Sequence, residues 1–183
     1  MKDKNNEISK RDHSDHALKS IPKTLLIGYG NPDREDDGVA CHVLKGVANY
    51  FNINFPTTLD EDLIMASENL HFMFNLQLIP EMVYDLINYS RICFIDAHTG
   101  ALEDDLNYQI LERIFQNSPL THHMTPQTIL SILDQTFNSR PEAILVSVRG
   151  YKFGFETYLS EPTKRLAEEA IIKITNWILM NDV

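Results

Sequence analysis

The chain has 183 residues, 43 % apolar and 23 % charged, which is enough for one domain with a full core and too few for two. A formal net charge of −10 excludes the phosphate-neutralising surface of a nucleic-acid binder. No apolar run reaches the roughly 20 residues that span a bilayer, and the polar start has no secretory apolar stretch.

Charge divides the chain. Residues 1–23 carry six Lys/Arg against four Asp/Glu and read as a disordered tail. Residues 24–183 carry ten against twenty-two and read as one acidic domain, suited to a cation or a basic partner segment. His13 and His16 read as solvated tail residues. Cys41 and Cys93 sit in apolar segments without CxxC spacing, so they read as buried free thiols of a reducing, cytoplasmic compartment.

Thr24–Tyr29 is a short apolar, β-prone run ending at glycine, and predicts a buried strand. From Asp37 to Phe51, Val39, Val43, Leu44, Val47 and Phe51 fall on one helical face, with Asp36 and Asp37 at the positive end of the helix dipole. Residues 52–69 read as a loop and His71–Asn75 as a second strand. Pro80 opens a helix to about Asn88. Arg91–Asp96, "RICFID", is an apolar strand closed by a carboxylate, and Leu106–Ile114 alternates weakly, as an edge strand would. Pro126–Phe137 predicts a helix, Ala143–Val148 a fully apolar strand, and Thr163–Leu179 a closing amphipathic helix. Strands of this kind alternating with helices imply one three-layer α/β domain. Its mostly parallel, twisted sheet has about five strands and helices on both faces.

Such sheets bind ligands beyond the carboxyl ends of their strands. That rule selects Gly28 to Asp37, then Asp96, His98 and Thr99, then Thr121, His122 and His123 before the later helix. Gly28-x-Gly30 invites a dinucleotide, but the third glycine of that fingerprint falls at Asp33, and no Gly-Lys-Ser/Thr follows for a Walker loop. Asp33, Glu35, Asp36 and Asp37 would repel a pyrophosphate. No Gly-x-Ser-x-Gly elbow supports a nucleophilic serine, and neither cysteine sits in electropositive surroundings. Two carboxylates, Asp37 and Asp96, with one imidazole would make a mixed oxygen and nitrogen site for a divalent transition metal, of a hydrolytic type. A pair of carboxylates sharing a proton is the other arrangement open to them.

The segment "GYGNPDREDDGVA" resembles the glycine–asparagine turn of the hydrogenase maturation proteases, endopeptidases that trim the C-terminus of the large subunit of nickel–iron hydrogenases. Gly28, Gly30, Asn31, Asp36, Asp37 and Gly38 carry the likeness, and the family's metal-binding acid, six after the asparagine, falls at Asp37. "LQLIPEMVYDL" resembles the family's Gln-Leu-x-Pro-Glu helix start. "RICFIDA" is similar to the strand that ends in the second metal-binding aspartate, Asp96. "THHMTPQTILSIL" is similar to the segment supplying the histidine. Counting four residues back from Pro126 selects His122 over His123. "GFETYLS" is similar to the approach to the final helix, so the resemblance spans roughly residues 24–179. Tyr29, Ala40, Leu76 and His98 depart from the family's commoner residues, and none replaces a ligand.

The resemblance implies an aspartyl-type endopeptidase whose partner is a hydrogenase large-subunit precursor. Its nickel is supplied by that subunit, with no organic cofactor. Asp37, Asp96 and His122 would reach the nickel through its open coordination positions and report that metallation is complete. Gly28, Gly30 and Gly38 would let the backbone approach the substrate, while Asn31 pins the turn. Two other activities are compatible with the same residues: a non-catalytic chaperone of the nickel-loaded subunit, and a metal-dependent hydrolase of another substrate.

Overall fold

The computed structural model describes residues 18–56, 63–65, 67–112 and 124–180. Among these residues six strands form one sheet: β1 Thr24–Tyr29, β2 Leu63–Met65, β3 Leu70–Asn75, β4 Arg91–His98, β5 Leu106–Ile110 and β6 Glu142–Arg149. Their order across the sheet is β2-β3-β1-β4-β6-β5. The central pairs β3–β1, β1–β4 and β4–β6 are parallel, and the edge strands β2 and β5 run antiparallel to their neighbours. Strand β2 lies inside the stretch 52–69, which its polar composition had marked as loop. Three residues at a sheet edge leave almost no periodic signal.

A continuous apolar strand hides its two faces in sequence, and the structure separates them. On one face Leu26, Cys93, Ile95, Val146 and Val148 pack under two long helices, α1 (Val39–Tyr50) and α4 (Glu161–Leu179). On the other, Leu25, Ile27, Ile92 and Phe94 pack under α2 (Val83–Leu86) and α3 (Pro126–Phe137). Burying a side chain such as Phe94 or Ile27 contributes about 1.5–3 kcal/mol, so two such faces commit the sheet to the interior.

Helix boundaries differ modestly from expectation. A 3-10 turn, Glu35–Gly38, precedes α1, and another, Pro80–Met82, precedes a four-residue α2. Thr125 caps α3, its hydroxyl oxygen accepting from the Thr128 N–H at 3.2 Å, with Pro126 in the first turn. Helix α4 begins two residues before Thr163, since Pro162 is tolerated in a first turn.

The last residues of the expected tail are part of the folded domain. Residues 18–20 are helical, and Leu18 and Ile21 are buried against α1 and α4's core. Two apolar side chains spaced by three in a charged stretch were too sparse to mark an element. The rest of the expected tail, with His13 and His16, lies outside the described residues. Among the described residues no helix is long and apolar enough to cross a membrane.

From β1 the chain crosses to β3 on one side, then returns past β1 to β4 on the other. The β1–β4 border is therefore the point where strand order reverses, where an α/β sheet opens a crevice beyond its carboxyl ends.

Candidate active site

A cleft of about 590 Å³ occupies that crevice. Its walls include Tyr29 and Asp96 from the ends of β1 and β4, Gly30 and Asp37 from the loop after β1, Leu76–Pro80 before α2, and Met124–Gln127 at the start of α3. Asp37 and Asp96, distant in sequence, line the same space.

Each carboxylate is held from its own loop. Oδ2 of Asp37 accepts the backbone N–H of Asn31 at 2.9 Å, and Oδ1 of Asn31 accepts the N–H of Asp33 at 3.0 Å. Asn31 thus pins the turn as expected, by an Asx-type bond that closes the loop on itself. Oδ1 of Asp96 accepts the N–H of Ala97 at 2.7 Å, and its carboxylate also accepts the Tyr29 hydroxyl. Burial pushes the Asp96 carboxyl up to about 6, against the Tyr29 and Ala97 hydrogen bonds, and the nearby Asp37 charge adds to the rise. The Tyr29 phenol is itself pushed far up, first by burial and then by the Asp96 charge, so it stays a donor.

Register explains how Tyr29 meets Asp96. Ile27 lies opposite Phe94 in the parallel β1–β4 ladder, so the next residues on the same face are Tyr29 and Asp96. In the sequence Tyr29 stands out only as a departure from the family's commoner residues. Strand parity was the signal that could have paired it with Asp96.

Each of the three glycines is required by the protein's own packing. A Cβ on Gly28 would stand 2.9 Å from Leu44 Cδ1 and 3.2 Å from Ala40 Cβ, so this glycine lets α1 close on β1. Gly30 has φ +136°, and a Cβ there would meet the Asp37 carbonyl oxygen at 2.2 Å. Gly38 fits against Pro32 in the same way.

Asp36 is the largest surprise in the acidic run. It is fully buried, with its oxygens accepting from Tyr151 N at 2.8 Å, Lys152 N at 2.9 Å, and Ser160 N and Oγ at 2.7 Å each. Burial opposes its ionisation, but these bonds, led by Ser160, outweigh it and hold the carboxyl below the usual aspartate range. Asp36 is an internal anchor. Its neighbour Asp37 faces the cleft, and Asp33 is exposed.

His98 and Thr99 do not line the cleft. The His98 ring is turned into its own loop, Nδ1 accepting from Gly100 N at 3.2 Å and Nε2 lying 3.3 Å from the Asp105 carbonyl. Thr121, His122 and His123 lie outside the described residues. Met124, Thr125 and Pro126, which follow them, are part of the cleft wall. Among the described residues no group of three or more His, Cys, Asp or Glu side chains is placed to hold a metal ion. Cys41 and Cys93 are free and buried, and burial raises both thiols, which makes them poor nucleophiles.

Solved structures share this arrangement of elements. One is the NiFe hydrogenase maturation protease HycI from Thermococcus kodakarensis, with a TM-score of 0.60 and 17 % identity, covering 91 % of this chain and 98 % of that one. The fold is that of the hydrogenase maturation proteases. The hydrogenase maturating endopeptidase HybD from E. coli aligns with a TM-score of 0.61 and 15 % identity over 83 % of this chain and 89 % of its own. A hydrogenase 2 maturation peptidase from a Thaumarchaeota archaeon gives 0.55 and 20 %, over 85 % and 97 %. Neither a family model nor a curated protein matches the sequence. At these identities the hydrogenase maturation protease fold is what the likeness establishes.

Proposed function

We propose that this protein is an endopeptidase that removes a C-terminal extension from the nickel-loaded large-subunit precursor of a nickel–iron hydrogenase. Asp37, Asp96 and His122 would address the substrate's nickel. The observation that carries this reading is the convergence of Asp37 and Asp96 on one open cleft at the β1–β4 crevice, in a protease fold.

The electrostatics favour a cationic occupant. Two carboxylates line one partly desolvated space, and the Asp37 charge adds to the cost of ionising the buried Asp96. A divalent ion carried in by the substrate would remove that cost. Asn31 and Ala97 each hold one oxygen of Asp37 and Asp96, which fixes the side chains and leaves the second Asp37 oxygen for a metal. His122 lies two residues before Met124 of the cleft wall and would supply the imidazole. With nickel as the tether, the precursor's tail lies along the cleft beside Leu76–Pro80, and only a metallated precursor is cut.

The test is cleavage of nickel-loaded and nickel-free precursor followed by intact-mass spectrometry. The expected result is loss of a C-terminal peptide only from the nickel-loaded form, and none with Asp37→Asn, Asp96→Asn or His122→Ala. Binding of the precursor without any mass change would make the protein a chaperone and end the protease reading. Full cleavage by Asp37→Asn would remove that residue from the site.

A further inference from the structure

The residues before Asp37 build a second feature. Arg34 Nη2 donates to the Phe153 carbonyl at 3.1 Å, and the Glu35 N–H donates to the Glu156 carbonyl at 2.7 Å. Gly154 N–H donates to Glu35 Oε2 at 2.5 Å, and Asp36 takes Tyr151, Lys152 and Ser160 as described. Three consecutive side chains therefore fasten the whole 151–160 loop, and Glu35 takes a left-handed backbone, φ 49°, to do so.

The loop's polar backbone faces inward to this clamp, Phe153 packs in beside Gly150, and the other three aromatic side chains face out. Phe155 is 87 % exposed, Tyr158 60 % and Tyr151 42 %. Single exposed apolar residues are ordinary, but three aromatic rings on one rigidly bonded loop are not. Arg34 lies over the Phe155 ring at 5.5 Å, and Arg149 over Tyr151 at 4.8 Å, which limits the rings' freedom before anything binds. Pre-ordered aromatics are the residues that lose least on association and carry most of the energy at protein interfaces.

We infer that Phe155, Tyr158 and Tyr151 form a docking surface for an apolar segment of the large-subunit precursor, next to the segment that enters the Asp37–Asp96 cleft. The inference rests on the proposed function and adds to it a second point of contact. Position argues for this occupant. Arg34 touches Phe155, and it is three residues from Asp37, so their Cα atoms are within about 11 Å. A chain seated at Asp37 reaches the rings in about six extended residues. The clamp also makes the two contacts one unit, because residues 34–36 hold the loop and residue 37 faces the cleft. Metal recognition alone gives little selectivity among metallated proteins, and an adjoining apolar contact would supply it.

The experiment compares wild type, Phe155→Ser and the double variant Phe155→Ser/Tyr158→Ser on the nickel-loaded precursor. Both rings are exposed, so the melting temperature should be unchanged. The expected result is KM raised about tenfold or more in the double variant, with kcat retained. An unchanged KM, with wild type cutting normally, overturns the docking surface and leaves the protease reading intact. A fall in kcat at constant KM overturns it as well, since the loop would then act on the geometry of Asp37. If wild type does not cut the precursor, the protease reading fails and the named partner with it. Conversion of a dimer to a monomer by the double variant would make the patch a self-association face and also overturn the inference.

Discussion

The backbone N–H of Asn31 lies 2.9 Å from Oδ2 of Asp37, and Gly30, between β1 and that bond, stands where a Cβ would press on the Asp37 carbonyl. The site carboxylate and its turn are thus one closed ring, whose geometry depends on a residue without a side chain. Gly30→Ala would place a methyl group 2.2 Å from a backbone oxygen, at a φ of +136° that alanine resists. The expected cost is about 3 kcal/mol or more, read as a lower urea midpoint. Processing should fall even in the folded fraction, because relief of the clash must move Asp37.

Asp96 should titrate near pH 6, observable by carboxyl-carbon NMR of the isolated protein. The stability consequence follows from the direction of that shift. A folded-state value of about 6 against 3.8 in the unfolded chain means that the folded protein binds the extra proton between those pH values. Its stabilising contribution is complete below about pH 3.8 and is lost as pH rises through about 6. Asp96→Asn removes the ionisation cost, so at pH 7 the variant should be more stable than wild type by about 3 kcal/mol. It should be inactive as well, the pattern of a side chain kept for function at the expense of stability. A destabilised Asp96→Asn at pH 7 would contradict this account.

The same region shows how far the sequence could be read. Apolar runs identified β1, β3, β4 and β6 because a strand buried on both faces has little choice of composition. The rim rule then selected Asp37 and Asp96, since strand ends in such a sheet converge without any long-range guess. Nothing in the acidic run sets Asp36 apart as buried, because a carboxylate's surroundings depend on what packs against it. Its partners lie more than a hundred residues later in an irregular loop. Adjacent acidic residues in one run share composition and nothing else: Asp33 faces water, Asp36 the interior and Asp37 the cleft. Strand β2 and the burial of Leu18 and Ile21 escaped for the related reason that their signals are too short to be periodic.

Asp36→Ala should therefore be far more damaging than Asp33→Ala. Removing Asp36 leaves three backbone N–H groups and the Ser160 hydroxyl without this acceptor, for an expected loss of at least about 3 kcal/mol. Asp33→Ala, at an exposed position, should stay within about 0.5 kcal/mol. Because the Asp36 carboxyl is held below its ordinary value, its contribution is present above the unfolded value of 3.8 and is lost as pH falls below it. Denaturant titrations at pH 7 and pH 3 should show the wild-type advantage over Asp36→Ala shrinking in acid. Loss of the aromatic loop's order would appear as faster amide exchange at Tyr151 and Lys152.

Arg91 offers the converse test, a buried charge that has no part in the cleft. It lies at the amino end of β4, opposite the carboxyl-end rim, with its side chain 5 % exposed. It pairs with Glu142 at 3.2 Å, donates to the Trp177 carbonyl at 2.8 Å and the Met180 carbonyl at 3.2 Å, and stacks 4.0 Å from the Trp177 ring. Trp177 Nε1 in turn donates to Glu142 at 2.8 Å. One guanidinium thus holds the last turn of α4, whose terminal carbonyls lack helical partners, against the starts of β4 and β6. Arg91→Ala should cost about 3 kcal/mol, since it leaves the Trp177 and Met180 carbonyls without their donor, while Glu142 keeps water and the Trp177 N–H. Arg91→Lys should recover only part, lacking the planar fork and the stacking. Trp177 is the chain's one tryptophan, so its fluorescence reports this corner alone. Its emission should shift to the red in Arg91→Ala, while KM and kcat of the folded fraction stay at wild-type values. A change in kcat without a change in Trp177 emission would mean that Arg91 couples to the cleft through β4, not through the helix end it holds.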